Sequence, residues 1–318
     1  MSGKPIPEKV IAMLTADELE TPPLSLGQLT WRRFRRHKMA LTGGVVLIML
    51  VLYAFGGALF LSEKYANYND TQLRLAGPTL AHPFGTDSIG RDILARTIYG
   101  GQISLLIGLF AVTIETGLGI LIGAIAGYFG GLVDNLLMRF TEAMLNIPEI
   151  FLLIVMAKFF GGKLPELHVL GRVYSGSLIV IIVIIGLTSW MYLARIVRAE
   201  FLSLKANEFV LAARATGTSN TEIIFRHILP NSIAPIVVTA TLGVANAILA
   251  EAYISFLGLG VQPPTATWGN MLDGANQYLE SAPWLWFFPG LLILLTVLSI
   301  NYLGDGLRDA LDPRGRAI

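Results

Sequence analysis

Three carboxylates and one carboxamide stand in stretches that are otherwise apolar: Glu115, Glu149, Glu251 and Asn146. A carboxylate surrounded by hydrocarbon is costly, so such groups face a water-filled space, a cation, a proton relay or a hydrogen-bonding neighbour. The four residues can line a passage or gate for a polar solute, or protonated acids can tie neighbouring helices together. Spacing alone leaves both readings open. Covalent catalysis has no comparable candidates. The chain has no cysteine, which removes thiolate nucleophiles, thiolate metal sites and disulfides together. His37, His82, His168 and His227 are scattered without metal-ligand spacing. There is no G-x-x-x-x-G-K-S/T phosphate loop, no H-E-x-x-H and no nucleophile elbow. No catalytic residue, metal site or bound cofactor is expected in this chain, and nothing points to nucleic acid.

The elements that position these groups follow from hydropathy. Of 318 residues, 54% are hydrophobic and 14% charged, too few polar groups to cover a soluble domain. The expected class is an all-α polytopic protein embedded in a lipid bilayer. Apolar segments at 39–61, 103–127, 132–159, 178–197, 232–256 and 284–303 each approach or exceed the roughly twenty residues of a spanning helix. The first thirty residues are polar and contain Pro5, Pro7, Pro22 and Pro23, so a retained first span is expected rather than a cleaved signal. Six spans place both termini on one side. Lys and Arg outnumber on that side those on the other, which makes it cytoplasmic. The resulting division is a tail at 1–38, a membrane domain at 39–304 and a tail at 305–318. Loops fall at 62–100 and 257–283 outside and at 198–231 inside.

Local patterns refine this frame. The segment WRRFRRHK before the first span is a topology anchor, or an amphipathic interfacial helix that also meets a cytoplasmic partner. Gly119, Gly123 and Gly127 form a small-residue stripe suited to close helix packing, with a hinge as the alternative. Pro148 should kink the third span. Trp268 and Asp273, with Pro263, Pro264, Tyr278 and Trp284, suggest an outer gate or docking surface more than an aromatic belt, because that loop is long for a simple hairpin.

The inner insert, residues 207–231, reads NEFVLAARATGTSNTEIIFRHILPN. Asn207 can cap a first helix that Gly217 ends. Ser219 to Glu222 reads as a capping box for a second helix, which Pro230 stops. A stiff helix-turn-helix should therefore project from the membrane face.

The insert resembles the EAA loop of ATP-binding cassette (ABC) importer permeases, through Ala212, Ala213, Gly217 and the pair Leu229 and Pro230. Leu211 stands where that loop has Glu, and His227 where it has Ile. The segments WRRFRRHKMAL, HPFGTDSIGRDIL, GYFGGLVDNLLMR, SFLGLGVQPPTATWGNML and GDGLRDALDPR look like the second permease subunit of dipeptide, oligopeptide and nickel importers. The resemblance implies a type I ABC importer permease fold in a prokaryotic plasma membrane. It implies four kinds of partner: a related second permease, two ATPase subunits that use ATP and Mg2+, an extracytoplasmic substrate-binding protein, and the bilayer. The first insert helix becomes a coupling helix, with Glu208, Ala212, Ala213, Arg214 and Thr216 as contacts and Gly217 and Pro230 as structural supports. Peptides are the expected cargo. The alternatives are nickel or oligosaccharides on the same machinery, and an ion-coupled secondary transporter using Glu115, Glu149 and Glu251.

Overall fold

The computed structural model describes residues 25–169 and 171–312. The expectations for 1–24 and for the end of the C-terminal tail lie outside them. Helix α1, Leu26–Phe34, opens with a reciprocal capping box in which Ser25 Oγ accepts from the Gln28 amide and Gln28 accepts from the Ser25 amide. Arg32 and Arg33 occupy its last turn, where cations complement the helix dipole. His37 Nδ1 accepts from the Ala40 amide and caps α2, Lys38–Val51. That helix continues through a π turn and stops at Gly56, short of residue 61.

Asp92 caps α3, Ile93–Phe129, which begins ten residues before the expected span and runs for 37 residues. Next come α4, Gly131–Leu145, and α5, Glu149–Phe160, bent by 85° at their junction. The third span is thus a broken pair rather than a kinked rod. At the break Asn146 Nδ2 donates to the Glu142 carbonyl, and Pro148 begins a new helix instead of interrupting an old one. A short hairpin of β1, Leu167–Val169, and β2, Arg172–Tyr174, precedes α6, Ser177–Lys205. The insert carries α7, Glu208–Ala215, and α8 spans Ile233–Phe256. The final helix, α9, extends from Trp284 to Leu311, so the first part of the expected C-terminal tail is helical.

Packing fixes which ends lie together. The glycine stripe of α3 lies against α6: added Cβ atoms would sit 2.9 Å from Leu193 at Gly119, 2.5 Å from the Ala194 carbonyl at Gly123, and 2.6 Å from Phe201 Cβ at Gly127. The ends of α3 and α6 therefore coincide. The start of α6 is at the other end, so the bent α4–α5 pair must carry the chain across between them. Arg33 of α1 donates to the Asp312 carbonyl at 2.7 Å. Arg308, Leu311 and Asp312 share a cavity with Glu200 and Ala234. Both described termini thus lie at the insert-bearing end, which fits six crossings. The opposite, far end is built from residues 57–92, the β1–β2 hairpin and residues 257–283.

Candidate functional site

A cavity of about 1090 Å³ opens among α5, α6, α8 and the end of α9. Glu115, Glu149, Glu200, Arg308 and Asp312 are its charged lining residues, together with Ser189, Thr239 and Asn246. Glu115 is 6% exposed. It faces Gly243 on α8, where an added Cβ would come within 3.1 Å of a carboxylate oxygen. Glycine at that crossing leaves the carboxylate its room. Glu149, in the first turn of α5, accepts from Ser189 Oγ at 3.1 Å. Of the four polar groups at membrane depth, only Glu115 and Glu149 reach this cavity. Asn146 bonds its own helix at the break, and Glu251 lies elsewhere.

The insert is held by one face. Val210 and Ala213 of α7 are buried in a cluster with Val197 and Phe201 of α6, Tyr128 of α3, and Ile223 and Ile228. Lys205 donates to the Tyr128 carbonyl, and Arg214 stacks over the Tyr128 ring at 5.3 Å. Tyr128 Oη also donates to Asn220 at 2.6 Å. Arg198 forms a two-pronged ion pair with Asp134, joining α6 to α4. Gly217 adopts φ +82°, the left-handed turn that a Cβ opposes.

Four expectations for the insert change. Asn207 occupies the cap position, but its side chain makes no capping bond; its carbonyl accepts from Val210 and Leu211 instead. Ser219 caps through Glu222 N, yet the Glu222 carboxylate pairs with Arg226 at 3.0 Å rather than closing a box. Pro230 does not end the second helix. A π turn at Ile223–Ile228 and a 3-10 turn at Leu229–Ser232 absorb its ring and missing N–H, and the helical path runs on from Asn220 to Phe256. Ala213 points inward, so it cannot touch a partner. Glu208, Ala212, Arg214 and Thr216 are exposed, and beside them Leu211 is 53% and Phe209 39% exposed.

The far end has a different character. Trp268 is fully buried, with Nε1 donating to the Thr97 carbonyl at 2.8 Å and its amide to Ser104 Oγ at 3.0 Å. It is therefore neither a docking surface nor a lipid-facing belt residue. Its ring covers Gly101, where an added Cβ would come within 2.6 Å of it. Glu251 Oε1 accepts from Ser255 at 2.6 Å and from Thr267 at 2.7 Å, which fastens α8 to the same loop. Asp273 is exposed on the surface of that loop.

Several residues that build these regions escaped the sequence reading: Gly243, Tyr128, the pair Asp134 and Arg198, and Gly101. The small residue opposite an intramembrane acid and the Gly100 and Gly101 pair were available as signals. Asp134 and Arg198 are 64 residues apart and gave none.

With this geometry in place, comparison with known proteins is informative. Residues 119–317 match the family described as binding-protein-dependent transport system inner membrane component. Residues 25–78 match the N-terminal TM domain of oligopeptide transport permease C. The chain is 42% identical to a dipeptide transport system permease protein of Alkalihalophilus pseudofirmus, covering 89% of this chain and 88% of the relative. It is 41% identical to an oligopeptide transport system permease protein of Haemophilus influenzae, covering 94% and 92%. Among solved structures, an inward facing form of the MetNI methionine ABC transporter aligns with TM-score 0.53 at 18% identity, over 69% of this chain and 98% of that one. At that identity the likeness is one of fold.

Proposed function

The chain belongs to the family of binding-protein-dependent transport system inner membrane components, and from that premise we propose that it forms half of a peptide-conducting pore in an ABC importer of a prokaryotic plasma membrane. It is a permease subunit, not an enzyme. Peptide cargo is the reading that the names of its dipeptide and oligopeptide relatives support. The cavity volume of about 1090 Å³, just above the roughly 300–1,000 Å³ usual for small-molecule sites, accommodates such cargo. A related second permease supplies the other wall, a binding protein delivers cargo at the far end, and two ATPase subunits hold ATP and Mg2+ at the insert-bearing end. Both termini then lie in the cytoplasm.

One observation carries the coupling argument: α7 shares a single buried cluster with α3, α6 and the start of α8. Glu115 of α3, Glu149 of α5 and residues of α6 and α8 line the cavity. Densely packed elements move as units, so displacement of α7 is passed to the cavity walls. In this reading an ATPase groove receives Glu208, Leu211, Ala212, Arg214 and Thr216, while Gly217 sets the turn and Pro230 lies where the insert joins α8. Closure of the ATPases on ATP then swings the cavity between the two sides of the membrane.

Purification from native membrane in mild detergent, with mass spectrometry of what stays bound, tests the assembly. The expected companions are two ATPase chains and a second permease, and the assembly should drive ATP-dependent peptide uptake into proteoliposomes. Recovery of this chain alone, with flux that follows an ion gradient and ignores ATP, would overturn the proposal.

A further inference from the structure

Resting on the permease reading, the cavity also carries a substrate preference. Its charged lining is four carboxylates, Glu115, Glu149, Glu200 and Asp312, against one guanidinium, Arg308. A cleft with apolar walls and charges of mostly one sign focuses its field and raises the local concentration of the opposite charge. Acidic lining alone would be an ordinary wet surface. Glu115 makes it more than that. It is 94% shielded, since only 6% of it is exposed, it borders the cavity, and no side chain or backbone amide among the described residues donates a hydrogen bond to it.

The surroundings of Glu115 explain how such a group is kept available. Gly243 on the crossing helix α8 leaves the carboxylate unobstructed, and a methyl there would come within 3.1 and 3.3 Å of its two oxygens. Glu149 is steadied by Ser189 at 3.1 Å and keeps its second oxygen uncommitted. Glu115 and Glu149 line the same cavity, and two carboxylates sharing one site are favoured by a donor cation between them. With no donor from the described chain, the Glu115 carboxylate takes its hydrogen bonds from what occupies the cavity, water or cargo.

We propose that Glu115 and Glu149 recognise a primary ammonium group of the cargo, so that the permease itself, and not only the binding protein, favours peptides carrying one. The ammonium offers three N–H donors on a compact charge, which two carboxylates lining one cavity can accept. Such a site must hold cargo weakly enough to release it, and two acceptors shared with water meet that requirement.

The test is ATP-dependent uptake by the complete importer in proteoliposomes, with one binding protein throughout. Three cargoes are compared: a dipeptide with a free amino terminus, its N-acetylated form, and an N-acetylated dipeptide with lysine at the second position. Because the binding protein is constant, a change in the uptake ratio on substitution belongs to the permease. Glu115→Gln or Glu149→Gln should lower the free-amine to acetylated ratio about tenfold, the loss expected for one charge-assisted hydrogen bond. Uptake of the acetylated lysine peptide falling in parallel identifies any primary ammonium as the ligand, while its insensitivity identifies the amino terminus; both outcomes support the site. Glu149 is exposed at the start of α5, so its variant tests the site even where Glu115→Gln fails to assemble. Peptide uptake by the parent importer with an unchanged ratio in the variants would overturn the ammonium site and leave the permease reading standing. No ATP-dependent peptide uptake by the parent importer would overturn both.

Discussion

The two ends of this molecule are finished in opposite ways. At the far end the loop at 257–283 turns its most characteristic side chain inward: Trp268 is fully buried and bonded to Thr97 and Ser104 of α3. Thr267 reaches Glu251, and Asn270 Nδ2 donates to the carbonyls of Val261 and Thr265 at 2.9 Å. At the insert-bearing end, α7 buries Val210 and Ala213 and leaves Leu211 and Phe209 outside. At the far end the loop is fastened to α3 and α8 by hydrogen bonds; at the other end α7 presents an apolar and charged face that no described residue covers. A subunit built this way keeps a rigid outer frame and hands its inner face to other chains. Substitutions at the two ends should separate stability from transport.

The largest effect is expected at the far end. Trp268→Ala removes a buried ring and the Nε1 hydrogen bond to the Thr97 carbonyl, and should cost about 3–5 kcal/mol. A melting curve of the purified permease assembly in detergent checks this. A fall of only a degree or two in Tm would mean that the loop is not fastened through Trp268, and the contrast between the ends would disappear.

What was legible in the sequence was set by the range of each interaction along the chain. Spans, the Gly217 turn and the Ser219 cap were legible because each depends on a few neighbouring residues: an apolar run, a left-handed backbone position, a hydroxyl before a helix. The burial of Trp268 was not. A tryptophan near a span end has the same one-dimensional pattern whether it faces lipid or lies over Gly101, and only the fold brings residue 268 to residue 101. Glu251 and Glu115 read alike for the same reason, yet one bonds Ser255 and Thr267 while the other borders the cavity. Pro148 marked the break in the third span but not its 85° angle, since a proline removes one hydrogen bond and leaves the direction to packing.

A middle-sized effect tests the link between the ends. An added side chain at Gly123 would begin 2.5 Å from the Ala194 carbonyl and 2.7 Å from Val197 Cβ. Gly123→Val therefore forces α3 and α6 apart, at about 1–3 kcal/mol for overpacking a tight contact. Those two helices hold the cluster that seats α7, so coupling should suffer along with stability. The readout is the peptide imported per ATP hydrolysed, beside Tm. A variant that melts lower and keeps its transport ratio would mean that α7 communicates with the cavity by another route, through α8 alone.

The smallest effect on the fold should accompany the largest effect on assembly. Leu211 is more than half exposed on α7 and packs in none of the buried clusters, so Leu211→Lys should shift stability by no more than about 0.5 kcal/mol. Interface cores are depleted of charge, and an ammonium placed in one is left without a partner. Co-purification of the ATPase subunits should therefore fall sharply while Tm stays put. The neighbouring substitution Ala213→Glu provides the internal control, because Ala213 faces the cluster with Phe201 and Ile223 and a charge there must lower Tm itself. If Leu211→Lys left the ATPases bound and uptake intact, the uncovered face of α7 would not be their seat. The open end of the molecule would then need a different partner surface, with the exposed run from Thr216 to Thr221, apart from half-buried Thr218, the next to examine.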